Sequence, residues 1–222
     1  MNILTRIINK ASRIIDSKVL YKRHQKRINN TDFSIISNNC WGGVIYEFFG
    51  LQKNSPTVGC YFFAKDYIKF IGDLKKYCSM QIKMISAAES KHYDILHAIG
   101  QDDIPIGQLG DVEVVFLHYK TPELAKSKWE RRCQRINWDN IIIKFSYMSL
   151  CDDDCVREFQ KIEGKKVMFV SKHFDNMNNL VFIPSAIGNE NDVGNDIYSW
   201  KHRFDIYEFI NKAPFSMNSK AD

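Results

Sequence analysis

The sequence predicts an α/β protein built around a mainly parallel sheet, and three observations carry that prediction. Short apolar, β-branched runs alternate with amphipathic helical stretches from residue 31 onward. Neither an internal repeat nor a low-complexity linker interrupts the alternation. At 222 residues, with 45% apolar and 26% charged residues, the chain fits one domain with a substantial core.

The first thirty residues stand apart. Ile3, Leu4, Ile7, Ile8, Ala11, Ile14 and Ile15 recur at three- and four-residue steps, the period of an amphipathic helix. Residues 1–30 hold eight Lys or Arg against Asp16 alone, a surplus of seven, although the whole chain carries only +5. The remainder is therefore slightly acidic. Such a helix docks on the body or on a second subunit as a homodimer, or lies in the plane of an anionic cytoplasmic leaflet. No basic fold motif or aromatic platform suggests nucleic acid.

Phe33–Ile36 reads as a buried strand, and Asn38-Asn39-Cys40-Trp41-Gly42-Gly43 as a turn into a short helix over 44–49. Ligands in such folds gather at the carboxyl ends of strands. Asn38 or Asn39 suits a helix cap, Gly42 and Gly43 suit close approach of an anion, and the helix field is expected to lower the Cys40 thiol pKa. The plain alternative is a tight turn with Cys40 and Trp41 packed inside. The loop 54–59 adds the hydroxyls of Ser55 and Thr57 around Pro56.

Residues 64–78 read as a helix, 81–85 as a strand, 87–103 as helical or irregular, and 104–107 as a break. Val112–Leu117 is the most convincing strand, followed by His118 and Tyr119. Thr121 caps a helix reaching Arg135, with Pro122 at its first position. Strands follow at 140–146, 167–171 and 180–184, with a helix over 152–162. Residues 188–196 read as an Asn/Asp/Gly-rich mobile loop, 198–211 as a closing helix and 213–222 as a fraying tail. The domain therefore spans 31–212.

Cys40 and His118, each just beyond a strand, would make a nucleophile and base if the fold brings them together. Lys128, Arg131 and Arg135 share one helix face that suits phosphate or carboxylate, or simply solvent. The six cysteines lack metal-ligand spacing, Cys151 and Cys155 included, and no GxGxxG or P-loop is present. No metal or cofactor is expected. The N-terminus has no apolar signal core, and no apolar run reaches a membrane-spanning length, so a cytoplasmic location is expected.

The runs Ile36-Ser37-Asn38-Asn39-Cys40-Trp41-Gly42-Gly43, Ser55-Pro56-Thr57, Phe116-Leu117-His118-Tyr119, Lys128-Trp129-Glu130-Arg131-Arg132 and Arg135-Ile136-Asn137 resemble the DUF1919 family in content and order. The similarity spans roughly 31–185. It implies a three-layer, Rossmann-like α/β fold and a place in cell-surface exopolysaccharide biosynthesis, the label often given to members, but no catalytic assignment. Two functions are compatible with it. One is a transferase using a phosphate-bearing activated sugar or similar donor, with Asn39, Cys40 or His118 in the chemistry. The donor would be bound by Asn38, Trp41, Gly42, Gly43, Ser55, Thr57, Tyr119, Arg131 and Arg135. The other is a non-catalytic scaffold that binds a glycan intermediate or a partner.

Overall fold

The computed structural model describes residues 3–186 and 189–212. The expected fraying tail lies outside the described residues. The central sheet has four parallel strands in the order β1 (Ser34–Ser37), β5 (Ile141–Ser146), β6 (Lys165–Val170) and β7 (Leu180–Phe182). Buried on both faces, β1, β5 and β6 read as mainly apolar runs rather than alternating ones, whereas the edge strand β7 is partly exposed.

Successive residues of β5 show the layering, because side chains alternate across a sheet. Lys144 faces Trp41 at the start of the Trp41–Phe49 helix. Phe145 faces Tyr67 of the Ala64–Gly72 helix and Phe159 of the Asp153–Lys161 helix. Helices thus cover both faces of the parallel sheet, and the expected α/β class is the one that forms. The Tyr67 hydroxyl donates to the carbonyls of Ile36 and Lys144, tying its helix to β1 and β5.

The convincing strand at 112–117 does not join this sheet. It is β4 (Val112–Val115), antiparallel to β3 (Ile106–Leu109), which pairs with β2 (Lys83–Ile85). The break expected at 104–107 is instead the start of β3. Gly107 is there because a Cβ would fall 2.3 Å from Ile82 Cδ1, a packing demand that resembles a turn signal in the sequence.

Two expected helices are each broken. Residues 64–78 divide at Gly72–Asp73, where Asp73 leaves the helical backbone at φ −143° and ψ 61° and caps Leu74–Ser79 by accepting from the Lys76 amide. The closing helix divides into Asp196–Ser199, a 3-10 turn, and Ile206–Asn211, the last restarted by the Asp205 carboxylate. The segment 188–196, expected to be a mobile loop, contributes β9 (Asn189–Val193), which pairs with β8 (Ser185–Ala186).

At the N-terminus a helix, Ile3–Ile15, continues through a π turn into Tyr21–Gln25. His24 stacks on Phe48 at 3.9 Å between ring centroids and bonds the Tyr207 hydroxyl. Ile28 is buried in the main core, so residues 21–30 pack with the body.

Candidate functional site

At the carboxyl end of β1 the chain turns through Asn38, Asn39 and Cys40 into the Trp41–Phe49 helix. Asn38 extends the β1–β5 ladder: its side-chain amide donates to the Ser146 carbonyl and its Oδ1 accepts from the Ser146 amide. The N-cap is Cys40 rather than either asparagine, and Asn39, one residue earlier, accepts from the Trp41 amide through Oδ1 at 3.1 Å. Cys40 is thereby fixed at the rim.

His118 arrives from the other sheet. Tyr61 bridges to Val115, and the His118 amide donates to the Gly59 carbonyl, which lays the end of β4 beside β1. The Tyr119 hydroxyl donates to the Val58 carbonyl, and Arg132 donates both to that carbonyl and to the Tyr119 hydroxyl. Gly59, at φ +82°, is needed because a Cβ would meet the Tyr119 ring at 3.0 Å. The outcome is a Cys40 Sγ to His118 Nε2 separation of 3.3 Å.

Beside this pair opens a cavity of about 760 Å³. Phe63, Ile95, Leu117, Met148, Val193 and Ile197 form much of its wall, while Asn38, Asn39, Cys40 and Asp196 supply polar groups. Among the described residues it is lined by Asp192 and Asp196 but by no lysine or arginine. Three wall residues, Ser149, Leu150 and Asn195, hold left-handed backbone at φ +55°, +66° and +51°. Non-glycine residues in that region are uncommon and gather at ligand sites.

Behind the cavity lies a polar network. Lys144, wholly buried, donates to Asn39 Oδ1 at 3.1 Å and to the Ser146 hydroxyl and the Asp196 carboxylate. The Ser146 hydroxyl and the Asn39 side-chain amide also donate to Asp196. Burial pushes the Lys144 pKa down despite its acidic partner. Burial alone would push Asp196 up, but the Lys144 ammonium, with the Ser146 and Asn39 donors, outweighs it and holds the carboxyl low.

The same surroundings reverse the expectation for the thiol. Burial, then the nearby Asp196 charge, push Cys40 up to about 11. Cys40 caps the helix through its backbone with no side-chain cap bond. Desolvation outweighs the helix field.

Other sequence candidates fall elsewhere. Trp41 is buried edge-on to Phe169 and Trp200. Gly42 and Gly43 let the helix approach β1 and Val58: added Cβ atoms would lie 3.1 Å from Ile35 Cγ2 and 3.2 Å from Val58 Cγ1. Ser55 and Thr57 are buried, and Thr57 Oγ1 accepts from the Ser37 amide. Tyr119 is held by Val58 and Arg132, as above, and does not line the cavity.

Arg131 and Arg135 do not join the site. They are exposed near the end of the Pro122–Cys133 helix, which leads back to the amino edge of the sheet, where the Asn137 amide donates to Ser34 Oγ of β1. Arg132, between them, is the arginine that turns inward.

Sequence reasoning missed Lys144, Ser146 and Asp196. A signal was present: Ile141-Ile142-Ile143-Lys144-Phe145 places one charge inside an apolar strand, which calls for a buried partner. Among the described residues no cluster of three His, Cys, Asp or Glu is arranged to hold a metal ion, and the cysteines described are free thiols.

The fold and site together define a three-layer α/β protein with a Cys–His pair above a largely apolar cavity. The family model for a domain of unknown function, DUF1919, matches residues 11–214, and the chain belongs to that family. It is also similar to an uncharacterized protein of Haemophilus influenzae (strain ATCC 51907 / DSM 11121 / KW20 / Rd), with 24% identity over 209 residues. That alignment covers 91% of this chain and 92% of the relative.

Proposed function

We propose that this protein is a cytoplasmic enzyme of cell-surface polysaccharide assembly that transfers a group by way of the Cys40 thiol, with His118 as the base. The observation that carries the reading is the 3.3 Å approach of Cys40 Sγ to His118 Nε2 at a cavity rim. The pathway comes from the label its family often bears, and the chemistry from this pair.

Such a pair suits acyl transfer from an activated ester or thioester. Sγ attacks the acyl carbon while His118 Nε2 takes the thiol proton. The carbon-to-leaving-group bond breaks and that proton passes to the leaving group. An acceptor hydroxyl then attacks the thioester, gives its proton to His118, and the thiol is restored. With Cys40 held up to about 11, deprotonation has to accompany attack rather than precede it.

The phosphate-bearing sugar donor expected from the sequence is less well supported. Two carboxylates and no basic side chain face the cavity among the described residues, which favours an uncharged, partly apolar transferred group. The elevated thiol pKa also favours a second reading, a non-catalytic scaffold whose cavity binds a glycan intermediate or a partner.

The test is intact-mass spectrometry after incubation with a panel of acyl thioesters, run beside a thermal-shift panel that includes nucleotide sugars. The expected outcome is an acyl adduct on Cys40 that is absent in Cys40→Ala and forms about a hundredfold more slowly in His118→Ala. A ligand that raises the melting temperature equally in wild type and Cys40→Ala, with no adduct, would establish the scaffold.

A further inference from the structure

The Ile3–Ile15 helix is docked back to front. Helices on globular proteins bury their apolar face and leave the polar one in water. Here the polar face meets the body. Arg13 makes an ion pair with Glu47 at 2.6 Å, Ser12 Oγ accepts from Lys201 Nζ at 3.3 Å, and Asp16, at the following turn, pairs with Lys201 and His24. The apolar face, carrying Leu4, Ile7, Ile8, Ile14 and Ile15 with Val19 beyond, points away. Each of these six is between 49% and 69% exposed.

So many large aliphatic side chains along one stripe are costly to leave in water. The charge of the segment decides what covers them. Residues 1–30 carry eight basic residues against one acidic, and Lys10, Lys18, Lys22, Arg23 and Lys26 are exposed around the stripe. A second copy presenting the same surface would bring two strongly positive segments together. An anionic bilayer offers an apolar interior and a negative surface at once. With thirteen residues the helix is too short to cross a membrane, and among the described residues no helix is long and apolar enough to do so.

We infer that the Ile3–Ile15 helix is an in-plane anchor that seats the protein on an anionic lipid surface, its aliphatic stripe in the acyl boundary, with Lys10 and the following Lys18 at the phosphates. The anchor is independent of the chemistry at Cys40. Its polar docking keeps it presented by the folded body.

The test is co-sedimentation of the full chain with phosphatidylcholine vesicles with and without phosphatidylglycerol, at low and high salt. Binding is expected only with the anionic lipid and is expected to weaken with salt. Lys10→Gln with Lys18→Gln should lower the partition coefficient about fivefold per lysine. Ile7→Glu with Ile14→Glu should abolish binding while leaving the melting temperature unchanged, because both side chains are exposed. Should the glutamates destabilise the fold, the lysine pair and the salt series still decide. Binding absent in wild type, or indifferent to salt and to both pairs of changes, overturns the proposal. So does a dimer, seen by sedimentation equilibrium, that Ile7→Glu with Ile14→Glu dissociates while vesicles are ignored.

Discussion

Lys144 of β5 and Asp196, fifty-two residues later, form an ion pair with almost no access to solvent, at 0% and 6% side-chain exposure. Asn39 and Ser146 hydrogen-bond to both members. A buried pair is retained or lost as a unit, because a lone charge left behind has no water to solvate it. The pair also anchors the chain that carries Val193, Asn195 and Ile197 into the cavity wall.

Removing one member should therefore cost far more than replacing both. Asp196→Ala or Lys144→Met alone is expected to lower unfolding free energy by about 3–5 kcal/mol. The double replacement Lys144→Met with Asp196→Leu should cost less than either single change. Urea denaturation of the three variants measures this cycle. Additive losses would mean that the two groups do not act on each other.

Acid should expose the same dependence. Asp196 and Asp152 both have folded pKa values below the unfolded carboxyl value of about 3.9. The sign follows: their contribution is present above about 3.9 and is lost as pH falls through the folded values, down to about 2 for Asp152. Asp152 is lowered chiefly by the Cys155 amide, to which it is the helix N-cap, and then by Lys65. Because its side chain is 42% exposed, solvent screening holds its share near the N-cap range of about 1 kcal/mol. Urea midpoints between pH 6 and pH 2 should fall steadily, and Asp152→Asn should flatten part of that fall. An unchanged profile in Asp152→Asn would remove this residue from the account.

The parallel core was legible because its strands are short runs of mainly β-branched apolar residues, Ile35-Ile36 and Ile141-Ile142-Ile143 among them. Cys40 and His118 were legible as strand-end residues, but their approach depends on the Tyr61–Val115 bridge, which no local pattern encodes. The arginines show the limit most clearly. Arg131, Arg132 and Arg135 have similar local signals, and only the course of the helix decides that Arg132 meets Val58 while its neighbours face solvent. Asp196 was hidden for a related reason. An Asn/Asp/Gly-rich stretch looks mobile until a buried lysine claims one of its acids.

The left-handed wall of the cavity gives the last prediction. Ser149 and Leu150 hold successive positive φ angles, fixed by the Ser149 carbonyl accepting from the Ala64 amide and by Val193 bonding the Tyr147 carbonyl. A side chain in that region costs about 1–2 kcal/mol relative to the right-handed one. Glycine adopts it freely, at an unfolded-state entropy cost of about 0.5–1 kcal/mol. Leu150 is 57% exposed, so truncating it forfeits little burial. Leu150→Gly is therefore expected to leave stability unchanged or to raise it by up to about 1 kcal/mol. Leu124, 42% exposed on the Pro122–Cys133 helix, is the control: there Leu→Gly should cost about 1 kcal/mol. Denaturation midpoints of the two variants measure the contrast. Equal losses at both positions would show that the backbone at Leu150 stores no strain. A stabilised Leu150→Gly that also forms the Cys40 adduct more slowly would tie that strain to the shape of the cavity.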